Sequence, residues 1–241
     1  MSVSDVFLTW GWSLNSTHKV VPTGRLKKVP KVPYRESGRL LLTLADFPAY
    51  MYDDTAMLIG KRNSLDYLED QALFFRTLKP ELQDRLAARL YHKDRGNFSR
   101  KKLETAGLQK FSALNEPLLR QLRGEAMCIC TYNSTIFLET LAANYPTVCF
   151  WRSRHWPLNQ DSIRYYNRLR EVGILHESPE SAADFINSRE GRFSEWWLST
   201  EVQLARETFV ANFSRQLDWN YLRVLLRDLA NQPEEASQDQ M

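Results

Sequence analysis

The sequence predicts an α/β fold, a Rossmann-like and mostly parallel sheet flanked by helices. Short apolar runs rich in Val, Ile and Leu alternate along the chain with segments of helical periodicity. The stretch 127–150 places two such runs on either side of a helical pattern. This tight spacing predicts a βαβ unit with parallel strands and a right-handed crossover. Cap residues (Ser, Asn and Pro before helical patterns, Gly after them) support the helix assignments.

The N-terminal part of the chain is expected to begin with a strand over 5–10 (DVFLTW). The next stretch, 11–38, contains prolines and several positive charges and predicts an extended connection. A buried strand is expected over 39–44 (RLLLTL). It is followed by a helix that begins at Asn63 or Ser64, either of which is the expected N-cap.

The middle of the chain continues with a helix that has Pro80 in its first turn. The later part of that segment, 88–91, is compatible with a strand. The polar stretch 92–102 (HKDRGNFSRKK) predicts a loop. A short helix over 116–124 is expected to end at Gly124.

The βαβ unit consists of a strand over 127–131, a helix over 135–143 and a strand over 147–150. The next helix ends at Gly173, and a short strand over 174–178 follows it.

The C-terminal part is predicted to be mainly helical. Ser178 as cap and Pro179 at the first position open one helix. The stretch 194–231 is expected to be helical throughout, and the polar tail 232–241 to be disordered.

Composition excludes some classes of function. Hydrophobic residues make up 43% of the chain, which indicates a sizeable core. The 32 basic residues are nearly balanced by 29 acidic ones, so the charge of +3 does not predict a nucleic-acid partner. Neither a membrane span nor a secretory signal is expected, because no apolar run is long enough and the N-terminus lacks a basic region before an apolar one.

The three cysteines, Cys128, Cys130 and Cys149, all lie in apolar runs and are expected to be reduced core residues. In a strand, the thiols of Cys128 and Cys130 are predicted to point to opposite faces. No second ligand pair stands at zinc-site spacing, so no metal site is expected.

The corner TYNST, between the first strand and the helix of the βαβ unit, is the main candidate site. In open parallel sheets, ligands bind beyond the carboxyl ends of strands, where loops lead into helix N-termini. Asn133 or Ser134 can cap the helix, and the hydroxyls of Ser134 and Thr135 can donate to phosphate oxygens. Glu139 lies one turn further on the same face and can accept from ribose hydroxyls. An ordinary N-cap followed by a solvent-facing glutamate explains the same residues.

Several blocks resemble the C-terminal half of a family of surface-carbohydrate transferases that is similar to GT-B glycosyltransferases. They are ICTYNSTIFLETLAANYPTVCFW, HWPL, YYNRLREVGILHESPESAADFIN and WW. The resemblance runs from 10 to 213 and is densest over 129–187. It implies the C-terminal half of a GT-B fold, in which this domain binds the donor nucleotide. Ser134 and Thr135 would then meet the phosphates and Glu139 the ribose.

Two loops at strand ends extend this candidate donor site. The segment RLYHKDRG places Arg89 and His92 after a strand, where similar transferases contact the nucleotide. The segment FWRSRHWPL places Arg152, Arg154, His155 and Trp156 after the next strand. There the two arginines and the histidine can meet phosphate or sugar, and the tryptophan can stack on a base or sugar. An exposed charged loop and packing of a lid by the tryptophan remain alternatives.

The resemblance also implies a domain organisation. Residues 1–36 would be a remnant of the N-terminal domain with a linker, 37–192 a nucleotide-sugar-binding domain, 193–231 bracing helices and 232–241 a tail. Because most of the acceptor domain is missing, a separate N-terminal acceptor domain is an expected partner. Asp94 is the one loop carboxylate that this half offers as a catalytic base. No DxD-type signature is present, so metal dependence is not expected.

The favoured function is transfer of a sugar from a nucleotide sugar to a surface polysaccharide or glycolipid acceptor. The nucleotide sugar is the substrate and no further cofactor is expected. The location would be the cytoplasm, at the inner face of the membrane. Two alternatives stay open: a non-catalytic, truncated interaction module, and a protein similar to sugar-nucleotide epimerases.

Overall fold

The chain folds into two compact units, Pro30–Val210 and Met1–Val29 with Ala211–Met241. The structure is a computed structural model that describes residues 7–10, 18–21, 29–46, 61–91, 98–112, 116–215 and 219–230. The smaller unit contains strands β1 (Phe7–Trp10) and β2 (His18–Val21), which pair in parallel. The domain boundaries expected from the sequence stay a prediction.

The larger unit is built on a parallel sheet of five strands. In chain order they are β3 (Leu40–Thr43), β4 (Leu86–Arg89), β5 (Met127–Cys130), β6 (Thr147–Phe150) and β7 (Leu175–His176). Their order across the sheet is β4-β3-β5-β6-β7, and every neighbouring pair is parallel. The predicted α/β class with a parallel sheet flanked by helices is confirmed.

Helices connect the strands and cover the sheet. Before β5 they are α1 (Lys61–Thr77), α2 (Pro80–Gln83), α3 (Ser99–Thr105) and α4 (Leu118–Gln121). After β5 they are α5 (Thr135–Ala142), α6 (Gln160–Glu171), α7 (Pro179–Ser188), α8 (Phe193–Trp197) and α9 (Thr200–Phe213). Helix α10 (Trp219–Ala230) belongs to the smaller unit. A 3₁₀ turn, Ser153–His155, lies between β6 and α6. Helix α1 packs against α7 and α3.

At α4, α5, α6 and α7, local signals position one helix end as the sequence predicts. Ser134 and Ser178 cap α5 and α7, each hydroxyl accepting from a backbone N–H of the first turn at 3.3 and 3.2 Å. Gly124 and Gly173 follow α4 and α6 with φ of 81° and 77°, a conformation that disfavours residues with a Cβ. Each element of the predicted βαβ unit agrees with the structure to within one residue.

The core lies on both faces of the sheet. Strands β3, β5 and β6 are buried along their whole length. Aromatic rings fill the layers between sheet and helices. Phe74 of α1 stacks on Phe150 with 4.8 Å between the ring centroids. The ring centroids of Phe137 in α5 and Phe209 in α9 are 5.7 Å apart.

Several predicted elements were wrong in detail because they were read from local patterns. Strand β2 lies inside the stretch expected to be an extended connection. Helix α1 begins at Lys61, so neither Asn63 nor Ser64 is its N-cap. Residues 99–102, expected in a loop, open α3, and α2 is a single turn before β4. The stretch 194–231 is divided into separate helices.

The three cysteines are reduced and buried, as predicted, but their predicted orientation was wrong. The Sγ atoms of Cys128 and Cys130 lie 3.8 Å apart, on one face of β5. In a strand, residues i and i+2 share a face, and it is neighbours in sequence that alternate.

Candidate functional site

The order of the strands creates a topological switch point between β3 and β5. The connection from β3 leads to β4 on one side of it, whereas β5, β6 and β7 lie on the other side. In an open parallel sheet, a crevice forms at such a point, outside the carboxyl ends of the two strands, and this is where such folds bind ligands. The predicted corner TYNST follows β5 directly, so it lies at this switch point.

The corner ends in the N-terminus of α5. Ser134 has an extended backbone (φ −145°, ψ 173°), and its Oγ accepts from the N–H of Ile136 at 3.3 Å. Thr135, the first residue of the helix, is exposed. The first turn of a helix carries N–H groups without helical acceptors and the positive end of the helix dipole. This geometry can receive an anion.

Two further predicted residues lie beside the corner. Asn133 is half-buried, and its Oδ1 accepts from the hydroxyl of Tyr166 in α6 at 3.4 Å. Burial raises the pKa of Tyr166 to about 12, so this hydroxyl stays protonated at neutral pH. Glu139 is half-buried on α5, one turn beyond Thr135.

A buried chain of hydrogen bonds joins the carboxyl ends of β3 and β5. The hydroxyl of Tyr67, in α1, accepts from the N–H of Ala45 at 2.8 Å and lies 2.5 Å from Oγ1 of Thr131. Thr131 donates to the carbonyl of Thr43 at 2.8 Å, so Tyr67 is the donor to Thr131. Burial raises the pKa of Tyr67, which keeps this donor protonated. One side chain thus links the residues that follow β3 to those that follow β5.

We expect Tyr67→Phe to lower the free energy of unfolding by about 1–3 kcal/mol. The substitution leaves the buried N–H of Ala45 without an acceptor and Thr131 without a donor. Chemical denaturation measures the change. Tyr165→Phe is the matched control, since its hydroxyl accepts from exposed Arg164, and it should change stability by less than about 0.5 kcal/mol. Equal losses of stability in the two variants would contradict the role given to the Tyr67 hydroxyl.

Arg89 ends β4 at the same edge of the sheet. It is half-buried, and its Nη1 donates to the carbonyl of Glu116 at 3.0 Å. Burial lowers the pKa of its guanidinium, which stays charged at neutral pH. His92 and Asp94, the other predicted residues of this segment, lie outside the described residues.

The loop after β6 crosses towards α1. Arg154 donates through Nη2 to Oδ2 of Asp66 at 3.0 Å and through Nε to Nε2 of His155 at 3.1 Å. His155 is 2% exposed, and burial followed by the charge of Arg154 lowers its pKa, so it is neutral. Trp156 is half-buried and packs, together with Tyr132, on a small cluster formed by Ala45, Tyr67 and Leu68.

The structure thus brings most of the predicted residues to one edge of the sheet. Those at the carboxyl ends of the strands are Arg89, Asn133, Ser134, Thr135, Arg154, His155 and Trp156. Their roles toward a donor stay predictions. Tyr67, Asp66 and Asp70 were missed, although the spacing of the two aspartates predicts a shared helix face.

A cavity of about 670 Å³ lies elsewhere, beside the edge strand β7. Its walls include His176, Phe185, Arg189 and Trp196. Both ring nitrogens of His176 are hydrogen-bonded, to Ser181 at 2.9 Å and to the carbonyl of Gly173 at 3.1 Å, and burial lowers its pKa to about 4. No residue of the TYNST corner lines this cavity. We place the candidate site at the switch point because strand topology, an open helix N-terminus and polar side chains coincide there.

The described segments offer neither a metal-binding cluster nor a membrane-spanning helix. No group of three His, Cys, Asp or Glu residues in them could hold a metal ion. None of the described helices is both long and apolar enough to cross a membrane.

Comparisons with known proteins give one family. A family model described as "LIC12162 family transferase" matches residues 1–229, which confirms the transferase family expected from the sequence. No curated protein matches. Among solved structures, the chain is similar to one described as WaaG, a glycosyltransferase involved in lipopolysaccharide biosynthesis, with 11% identity and a TM-score of 0.49. The match covers 89% of this chain and 56% of that one, so this chain spans little more than half the length of the solved protein.

Proposed function

We propose that this chain, which belongs to the LIC12162 family of transferases, transfers a sugar from a nucleotide sugar to a saccharide or glycolipid acceptor. The observation that carries the proposal is the position of Ser134. It caps α5 at the carboxyl end of β5, beside the switch point of a parallel sheet. Parallel sheets bind nucleotides at this position, because a helix N-terminus faces the phosphates there.

The donor phosphates would dock on the first turn of α5. The N–H groups of that turn and the hydroxyls of Ser134 and Thr135 donate to phosphate oxygens. The helix dipole adds about 0.3–1 kcal/mol for an anion at this end. Arg89 and Arg154, which lie at the carboxyl edge of the sheet, would supply the positive charge.

The remaining contacts would orient the nucleoside and the sugar. Glu139 can accept from the ribose hydroxyls one turn after the phosphate contacts. Trp156 offers a half-buried ring on which a base or a sugar can stack. Asn133 is held in place by Tyr166 and presents its amide to the same corner.

In the transfer step, the residues of the corner would stabilise the departing nucleotide phosphate. Negative charge grows on the phosphate oxygens as the glycosidic bond breaks, and donors fixed in advance stabilise it. The acceptor hydroxyl also needs a general base. We propose that a separate N-terminal acceptor domain supplies it, at the cytoplasmic face of the membrane where surface saccharides are assembled.

A thermal-shift panel of UDP, CMP, dTDP and their sugars tests the proposal. A ligand that binds only the native protein raises the melting temperature by an amount that grows with the logarithm of its excess over Kd, with about 2.7 kcal/mol gained at a hundredfold excess. We expect one nucleotide class to shift the melting temperature. If no nucleotide or nucleotide sugar does so at millimolar concentration, the proposal fails.

A further inference from the structure

Two aspartates on one face of α1 hold the loop that follows β6. Asp66 and Asp70 are four residues apart, so their side chains project from the same side of the helix. Arg152 makes a bidentate pair with Asp70, Nε to Oδ2 at 2.8 Å and Nη2 to Oδ1 at 2.5 Å. Arg154 makes a single contact with Asp66 at 3.0 Å. The loop is therefore fastened to α1 at two points along the carboxyl edge of the sheet.

The two ion pairs differ in strength. The side chain of Asp70 is 8% exposed and that of Arg152 is 39% exposed, whereas Asp66 and Arg154 are 32% and 58% exposed. Hydrogen bonding to Asp70 also raises the pKa of Arg152. A bidentate pair with a buried carboxylate is costly to break, while a single exposed contact is worth little. We therefore expect the Arg152–Asp70 pair to stay formed. Arg154, in contrast, can exchange Asp66 for another partner.

Arg154 lies at the same carboxyl edge of the sheet as the switch point between β3 and β5. Its partner Asp66 directly precedes Tyr67, whose hydroxyl bonds to residues that follow β3 and β5. Trp156, two residues after Arg154, packs on the same Tyr67. Among the described residues, Nη1 of Arg154 has no partner, so part of its donor fork is available. A phosphate in the crevice would compete with Asp66 for this guanidinium.

We infer that Asp66 lowers the affinity of the crevice for phosphate ligands by holding Arg154, which passes to the ligand's phosphate when the ligand binds. The ligand class is a phosphate or diphosphate ester such as a nucleoside diphosphate. The inference rests on the proposed function, because both place the phosphate at this crevice. Asp66 thus acts on the ligand only through Arg154, as a competitor for its guanidinium, and its effect on affinity is unfavourable.

The sign of this effect separates it from a structural role. We expect Asp66→Asn to strengthen the binding of inorganic pyrophosphate and of UDP by about two- to fivefold in calorimetric titration. If Asp66 only orients Arg154, the same substitution weakens binding. Weaker or unchanged affinity therefore overturns the inference.

Two matched variants complete the test. Asp184→Asn removes an exposed carboxylate on α7 and makes the same change in net charge, so it should leave affinity unchanged. An equal gain in Asp184→Asn would overturn the inference, since the effect would then be one of overall charge. Arg154→Gln should weaken binding and abolish the gain from Asp66→Asn. A gain that survives without Arg154 also overturns it.

Failure of this inference can be told from failure of the proposed function. If neither probe binds the wild-type protein or Asp66→Asn, both fall. The probes can also bind with an affinity that falls when Ser134 and Thr135 are replaced but does not change in Asp66→Asn. In that case the crevice is the binding site, and only the proposed exchange of Arg154 is wrong.

Discussion

Replacing Ser134 and Thr135 together by alanine is expected to lower the affinity for a nucleotide sugar by about 100-fold or more. Each hydroxyl would donate to a charged phosphate oxygen, and such a hydrogen bond contributes about 1.5–3 kcal/mol. The substitution also removes the cap of α5, whose hydroxyl accepts from the N–H of Ile136. That loss costs about 0.5–2 kcal/mol of stability, so the domain should remain folded. Calorimetric titration of the double variant against the ligand found by thermal shift measures the effect.

Ser178→Ala is the matched control for this experiment. Ser178 also caps its helix, α7, from an extended backbone, but its Oγ accepts from the N–H three residues on, that of Ser181, at 3.2 Å, and it lines the cavity beside β7. It should lose a similar amount of stability and no affinity. Unchanged binding in the double variant, or lost binding in Ser178→Ala, would show that the ligand does not bind at the TYNST corner.

The second large effect is expected at Gly38. A Cβ there would lie 2.7 Å from the backbone N of Ala126 and closer still to the carbonyl of Gly124. These atoms belong to backbone just before β5, and Gly38 lies just before β3, so neither side can move without shifting the two strands at the switch point. Gly38→Ala should therefore lower the free energy of unfolding by about 3–5 kcal/mol, as overpacking against fixed backbone is among the most damaging changes.

A glycine in open space provides the comparison. Gly191 has a φ of 75°, but among the described residues no atom beyond its two chain neighbours lies within 4 Å of the position that a Cβ would take there. Gly191→Ala should cost only the left-handed backbone strain of about 1–2 kcal/mol. Urea denaturation of both variants measures the difference. If Gly38→Ala loses no more unfolding free energy than Gly191→Ala, the backbone before β3 and β5 can adjust to a Cβ and the prediction is wrong.

The parts of the fold and site that depend on neighbours in sequence could be predicted. The βαβ unit has its Ser134 cap, its helix and both strands within one short stretch, so each signal is local. The same holds for Ser178 and for the glycines that end α4 and α6.

The parts that depend on tertiary pairing could not be predicted. The order of the strands, and hence the switch point, follows from contacts between distant segments. Tyr67 meets Thr131 across 64 residues, and Arg152 meets Asp70 across 82, with no local sign of either partner. For the same reason, Arg154 was expected to meet phosphate directly, while its pairing with Asp66 could be found only in the structure.

Amide hydrogen exchange with and without the bound nucleotide tests the central claim most directly, because it locates the ligand without assuming which residues bind it. Exchange slows where amides donate to a ligand or are covered by it. We expect added protection at residues 134–138, the first turn of α5, and little change around β7. Protection confined to residues 168–189, beside the cavity at the edge strand, or absent altogether, would contradict the account.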